Sequence, residues 1–200
     1  MSISRLTTSA TTGFLLSIAA SAIAQVGSPP SFDCGAKTIS TMESLICQSQ
    51  ALSSQDRDLA RTYKAALAKA GGQANRLKAE QRGWIKGRDE CWKADDQNAC
   101  LRSTYTQRTV ELQVGYALVA HDGPIRFDCG DKGQIDVSFY KTDPPAVAAT
   151  YRDQRSIMIA VPSESGMNFQ GQNESFRGHQ EEATVTWGAD GKAFTCRKQG

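Results

Sequence analysis

Two hundred residues suffice for one large domain or two small ones, and 40% apolar with 22% charged side chains describes a chain that folds around a core. The 23 basic and 21 acidic residues leave a net charge of +2, which excludes an extended polybasic nucleic-acid binder. Two histidines are too few for a multi-histidine metal centre, and the meaning of six cysteines, an even number, depends on the compartment.

The N-terminus supplies that compartment. Arg5 precedes a short apolar stretch from Phe14 to Ala20, and Ala22-Ile23-Ala24 forms a small-x-small cleavage site. This order predicts a signal peptide over residues 1–24. No cysteine stands at the cleavage point to take a lipid, and no later segment reaches the roughly 20 apolar residues needed to span a bilayer. The mature chain is therefore expected to be soluble, periplasmic or secreted, without a membrane span and with all six cysteines paired.

Residues 25–32, with Gly27, Ser28, Pro29 and Pro30, read as a flexible lead. A short helix is expected over Ser40–Gln48. Leu59, Tyr63, Leu67 and Ala70 then mark one face of a helix from about Ser53 to Ala70, capped by Ser53 or Ser54 and ended by Gly71-Gly72. A third helix, about Gln73 to Cys91, turns Leu77, Trp84, Ile85 and Cys91 inward. Gly83 and Gly87 each weaken it by about 1 kcal/mol relative to alanine, so it depends on tertiary contacts. A fourth, about Gln97 to Gly115, carries Leu101, Tyr105 and Leu112 on one stripe. Short connections make this a small all-α bundle of antiparallel neighbours over residues 32–116.

After a linker at 117–124 the period becomes two. Ile135, Val137 and Phe139, then Val147, Ala149 and Tyr151, then Ile157, Ile159 and Val161, then Ala183, Val185 and Trp187, and finally Phe194 and Cys196 alternate with polar residues. Short strands every eight to twelve residues, broken by Gly, Pro, Asp and Asn, predict an antiparallel barrel or sandwich over 125–198. Domains this small profit from disulfides. Cys129 with Cys196 would tie the first strand to the last. The other four cysteines allow three connectivities; Cys91 and Cys100 flank a helix–helix turn, which favours their pairing and leaves Cys34 with Cys47. The spacings contain no CxxC, so a metal site is not expected.

Catalytic signatures are missing: there is no GxSxG, HExxH or phosphate-binding glycine loop. Glu181 and Glu182, adjacent on an expected strand, point to opposite faces and cannot act as an acid–base pair. His121 reads as a solvated linker residue, and Gln81, Trp84, Arg88 and Asp89 as a core tryptophan with a polar brace. Neither an enzyme nor a cofactor is expected.

Two family resemblances rest on particular residues. Phe32-Asp33-Cys34, Glu43, Ile46-Cys47, the Leu59/Tyr63/Leu67 helix, Gln81, Trp84, Arg88-Asp89, Cys91, Cys100, Tyr105 and Arg108 resemble the LprI-type secreted domain. Phe127-Asp128-Cys129-Gly130, Val137-Ser138-Phe139-Tyr140, Ser165-Gly166-Met167-Asn168-Phe169, Glu182-Ala183-Thr184-Val185 and Phe194-Thr195-Cys196 resemble the bacterial inhibitors of c-type lysozyme, membrane-bound and periplasmic.

The second resemblance implies an eight-stranded antiparallel barrel whose loop enters the lysozyme cleft. There a serine followed by glycine reaches the catalytic carboxylates, assisted by a lysine on a neighbouring loop. Ser165 and Gly166 occupy the first motif, and Phe169 stands where the family usually has tyrosine. His179 takes the lysine position without the following glycine, Gly178 preceding it instead, and Arg177 is an alternative cation. A histidine is only partly charged at neutral pH. Residues 118–200 hold nine basic and eleven acidic side chains, a net of −2, and residues 25–117 hold thirteen and ten, a net of +3. The acidic half suits a basic lysozyme. The resemblance thus implies a secreted inhibitor of host c-type lysozyme; the alternative is a non-inhibitory module that binds peptidoglycan or an envelope protein.

Overall fold

The computed structural model describes residues 27–200; the expected signal peptide lies outside them. Ser40 starts the first helix, α1 (Thr41–Gln48), with a capping box: its side chain accepts from the Glu43 backbone, and the Glu43 carboxylate accepts from the Ser40 backbone at 2.8 Å. Ser49 caps α2 (Gln50–Lys69), one turn earlier than the sequence suggests. The expected cap Ser53 instead lies buried within α2, donating to the Ile46 carbonyl at 2.8 Å. After a 3-10 turn at Gly71–Gln73 come α3 (Ala74–Asp89), a second 3-10 turn at Glu90–Lys93, and α4 (Gln97–Gly115), capped by Asp96. The bundle core joins Met42, Ile46, Leu52, Leu59, Ala66, Leu77, Leu101, Tyr105 and Leu112. Ile85 departs from expectation: Leu77, Trp84 and Arg88 hold the inward stripe, and Ile85, about 100° around the helix from Trp84, faces solvent.

Eight strands follow in the order β1 (His121–Asp128), β2 (Gln134–Tyr140), β3 (Ala146–Tyr151), β4 (Gln154–Ala160), β5 (Met167–Gln170), β6 (Ser175–His179), β7 (Glu182–Thr186) and β8 (Phe194–Lys198). Each is antiparallel to its neighbour, and β1 pairs with β8 to close the barrel. β1 begins inside the expected linker. His121 pairs with Tyr140 and its ring stacks on Tyr140 at 4.8 Å between centroids, so His121 is a strand residue. The barrel interior holds Phe127, Ile135, Val137, Val147, Ala149, Tyr151, Met158, Phe169, Phe176, Ala183 and Val185.

The closing seam is short, with Phe127 opposite Lys198 and Asp128 opposite Arg197. Cys129–Cys196 bridges this seam across 67 residues of sequence. By the chain-entropy account a crosslink of that span stabilises by about 4 kcal/mol. Cys34–Cys47 and Cys91–Cys100 tie the bundle.

Strand β4 reverses the expected parity. Met158 is fully buried inside the barrel, opposite Val147, while Ile157 and Ile159 point outward, opposite Ala148 and Ala146. They are not left in water. Val110 and Val114 of α4 cover them, together with Tyr140, Ala146, Ala148 and Val119, in a separate apolar cluster between bundle and barrel. Lys69 reinforces the junction by donating to the Ala117 carbonyl at 2.6 Å.

Replacing Val114 with aspartate places a charge in this junction and costs several kcal/mol of coupling. We expect Val114→Asp to retain both sets of secondary structure while residues 116–120 become readily cleaved by protease. Circular dichroism with limited proteolysis checks this, and unchanged protease resistance would count against the junction.

Candidate functional site

The sites suggested by sequence lie at one end of the barrel, on the β4–β5 loop and the β6–β7 hairpin. Ser165 and Gly166 form the tip of the first and are exposed. Gly166 has φ +68°, and a Cβ there would sit 2.4 Å from the Gly178 carbonyl oxygen and 3.6 Å from the His179 Cα. Only glycine fits, because the conformation is left-handed and the contact is closer than any side-chain carbon tolerates. The two loops are thus packed backbone to backbone, and the Ser165 segment is fixed against the segment bearing His179. Ser163 braces the tip by donating to the Ser165 carbonyl at 2.8 Å.

Beyond the tip, β5 pairs Met167 with Gly178 and Asn168 with Arg177. Arg177 and His179, two residues apart, project from the same outer face of β6, and both are exposed. They border a shallow hollow of about 520 Å³ shared with Glu182, Thr184, Thr195 and Arg197. Within it Arg197 donates to Glu182 at 2.8 Å. Glu181 belongs to the hairpin turn and Glu182 to the strand, and each faces a β8 cation, Lys198 at 3.9 Å and Arg197 respectively. Arg177 and His179 stay outside these pairs.

Phe169 does not join this surface. It is 5% exposed and packs inside the barrel on Phe139, with ring centroids 6.1 Å apart. Its place in the alternation of β5 sends the ring inward, where it anchors the base of the loop and is closed to a partner. Met167, two residues earlier on the same side, emerges at the barrel mouth and is 42% exposed. Sequence reasoning passed over Met167, although its parity with Phe169 and its position beside the Ser-Gly tip were signals for a rim residue. A flexible thioether there offers adaptable apolar contact.

The polar brace in the helical half proves to be one connected network. Arg88, 3% exposed, donates to Asp89 at 2.7 and 2.9 Å, to the Tyr105 hydroxyl at 3.3 Å and to Glu43 at 3.5 Å. The Tyr105 hydroxyl donates to Asp56 at 2.9 Å, and Asp56 also accepts from the Ser31 backbone at 2.6 Å. Trp84 packs edge-on against Tyr105 at 5.3 Å, and the Arg88 guanidinium lies 5.8 Å from the Trp84 ring centre. Burial pushes the Tyr105 phenol far above the usual tyrosine range, so it remains a neutral donor to Asp56. Farther out, Arg108 donates to Gln81 at 3.1 Å. Arg88, Asp89, Tyr105 and Asp56 satisfy one another, while the buried Trp84 Nε1 and Arg108 Nη2 find no hydrogen-bond partner. Among the described residues no cluster of three or more His, Cys, Asp or Glu is arranged to hold a metal ion.

Comparison with known proteins adds the families. Residues 34–117 match the model described as lysozyme inhibitor LprI, and residues 127–193 match that described as membrane-bound lysozyme-inhibitor of c-type lysozyme, MliC. The helical half is thus similar to an LprI domain and the barrel half to an MliC domain, in that order along the chain. Proteins named lipoprotein LprI from Mycobacterium bovis and from two strains of Mycobacterium tuberculosis are 28% identical to it over 169 residues, covering 84% of this chain and 83% of theirs. That span is longer than either matched domain, so the likeness extends across the LprI–MliC pair. The Ser165–Gly166 tip and the Arg177–His179 strand both fall within the MliC match.

Tyr105→Phe tests the network. It leaves Asp56 and Arg88 each short of one partner in a buried setting, a cost of about 1–3 kcal/mol. Urea unfolding of the full chain should show that loss, and a change below about 0.5 kcal/mol would mean water replaces the phenol.

Proposed function

We propose that this protein inhibits c-type lysozyme in the bacterial envelope, by placing the Ser165–Gly166 tip in the catalytic cleft with Arg177 and His179 beside it. One observation carries the reading: the fit of Gly166 against the Gly178 carbonyl, which sets a hydroxyl-bearing tip and a cationic strand in fixed relation at one barrel end. A retaining glycosidase holds two carboxyl groups about 5–5.5 Å apart. A serine hydroxyl donates to such a group, and an adjacent cation offsets the pair's negative charge. Pre-organisation matters because a tip that must be ordered on binding loses part of its contact energy.

The roles divide by chemistry. Ser165 is the donor that enters the cleft, Gly166 permits the close approach, and Met167 contributes apolar contact at the rim. Arg177 supplies a permanent charge. His179 stands beside it, where the family pattern has lysine. The net charge of −2 on the barrel half draws it toward a basic enzyme, so association should slow as salt rises. Phe169 is left out of the contact set for the packing reason given above. The family descriptions, both of lysozyme inhibitors, support the same partner.

Lysozyme lysis assays test the assignment. Ser165→Ala should weaken inhibition by about 1.5–3 kcal/mol, the range for a hydrogen bond to a charged group, with no change in thermal stability. An unchanged inhibition constant would remove the tip from the cleft. Gly166→Ala should weaken inhibition at least as much, because the tip must move away from Gly178.

Substitution at His179 separates the two cation candidates. His179→Lys, which restores the family's lysine, should tighten inhibition, and His179→Ala should weaken it. Equal inhibition constants for wild type and His179→Ala would transfer the cationic role to Arg177.

A further inference from the structure

Three large apolar side chains are exposed among the described residues: Ile85 at 38%, Trp92 at 59% and Met167 at 42%. Met167 belongs to the barrel rim. The other two share a face of the helical half. Taking about 100° per residue through α3 and about 120° per residue through the following 3-10 turn, Trp92 lies within about 40° of Ile85 around the axis.

Lys78, Arg82 and Lys86, spaced four residues apart, fall within about 100° of Ile85 on the same side, and all are exposed. None of the three forms an ion pair among the described residues, whereas the other bases of this segment are engaged: Arg76 by Glu80, Arg88 by Glu43 and Asp89, and Lys93 by Glu90. The face therefore carries three uncompensated positive charges around two exposed apolar side chains. A single exposed apolar residue calls for no explanation; two of them set among unpaired cations form a pattern.

We propose that this face of α3, with Trp92, docks peripherally on an anionic phospholipid surface. Lysine and arginine side chains bind the phosphate headgroups, while the indole of Trp92 and the side chain of Ile85 enter the boundary between headgroups and acyl chains, where tryptophan is favoured. The mixture argues against a protein partner, because protein interfaces are depleted of lysine at their core and gather apolar residues into contiguous patches. The net charge of +3 on residues 25–117 acts in the same direction. The contact would hold an inhibitor that has no membrane-spanning helix among its described residues beside the membrane while the barrel loops remain available.

The test uses the full chain and vesicles of phosphatidylcholine with or without about one-third phosphatidylglycerol. Sedimentation with the anionic vesicles alone is expected, weakening strongly at about 0.5 M salt. Lys78→Glu/Arg82→Glu/Lys86→Glu should lower partitioning more than a hundredfold, and Arg82→Gln alone about fivefold, in line with the contribution of one basic residue near a charged bilayer. Trp92→Ala should lower it several-fold, and the blue shift of tryptophan emission on vesicle addition should vanish in Trp92→Phe. Lysozyme inhibition in solution should stay unchanged in all these variants. Equal binding to neutral vesicles, or a folded triple variant that sediments like wild type, would overturn the proposal. So would loss of lysozyme inhibition with vesicle binding intact, which would make the face a protein contact.

Discussion

Burial of α4 on two sides is the constraint on which the rest of the molecule depends. Leu101, Tyr105 and Leu112 face the bundle, while Val110 and Val114 face the outer wall of β2, β3 and β4. A helix that serves two cores must be apolar on two stripes, and the strands beneath it must be apolar on both faces. In β3, accordingly, Ala146, Val147, Ala148 and Ala149 are all buried, the small alanines on the outer face letting the helix approach. The two domains thus meet through matched apolar surfaces as well as through the chain that joins them. Full burial of one valine contributes about 1.5–3 kcal/mol, so Val110 and Val114 alone add several kcal/mol to the junction as an upper estimate.

Within the bundle the organising interaction is polar. Arg88 on α3 reaches Glu43 on α1 and Tyr105 on α4, and Tyr105 reaches Asp56 on α2, so one chain of hydrogen bonds touches all four helices. A buried arginine is costly unless its donors are met. Here Asp89, Tyr105 and Glu43 meet them, and Glu43 also caps α1, so helix initiation and tertiary assembly draw on the same carboxylate. A domain this small has little apolar surface to bury, and such a network with two local disulfides supplies specificity that a larger core would otherwise provide.

The sequence made much of this legible where a periodic signal met a single buried face. α4 ends where its stripe and Gly115 indicate, and Ile135, Val137, Val147, Ala149, Ala183 and Val185 alternate into the barrel as read. Reading failed where tertiary contact supplied a second buried face. Ile157 and Ile159 look like core residues but are half-buried under α4, and the unremarked Met158 takes the barrel interior. Ile85 failed for the opposite reason: apolarity alone does not choose between adjacent helical positions when Trp84 and Arg88 complete the stripe.

At the candidate site the motif residues were legible from resemblance, but their relation was not. Nothing local to Gly166 or Gly178 announces that one glycine exists to admit the carbonyl of the other, since the contact joins two loops across a strand pair. The aromatic match at Phe169 suggested a contact residue, whereas period-two geometry sends its ring inward onto Phe139.

The central claim is that the barrel tip occupies the lysozyme cleft, and competition tests it most directly. Inhibitor binding to lysozyme is titrated at rising concentrations of a chitin oligosaccharide that fills the cleft. The account predicts mutual exclusion, with apparent affinity falling in proportion to the fraction of cleft occupied. A ternary complex of lysozyme, oligosaccharide and inhibitor, formed with undiminished affinity, would contradict it.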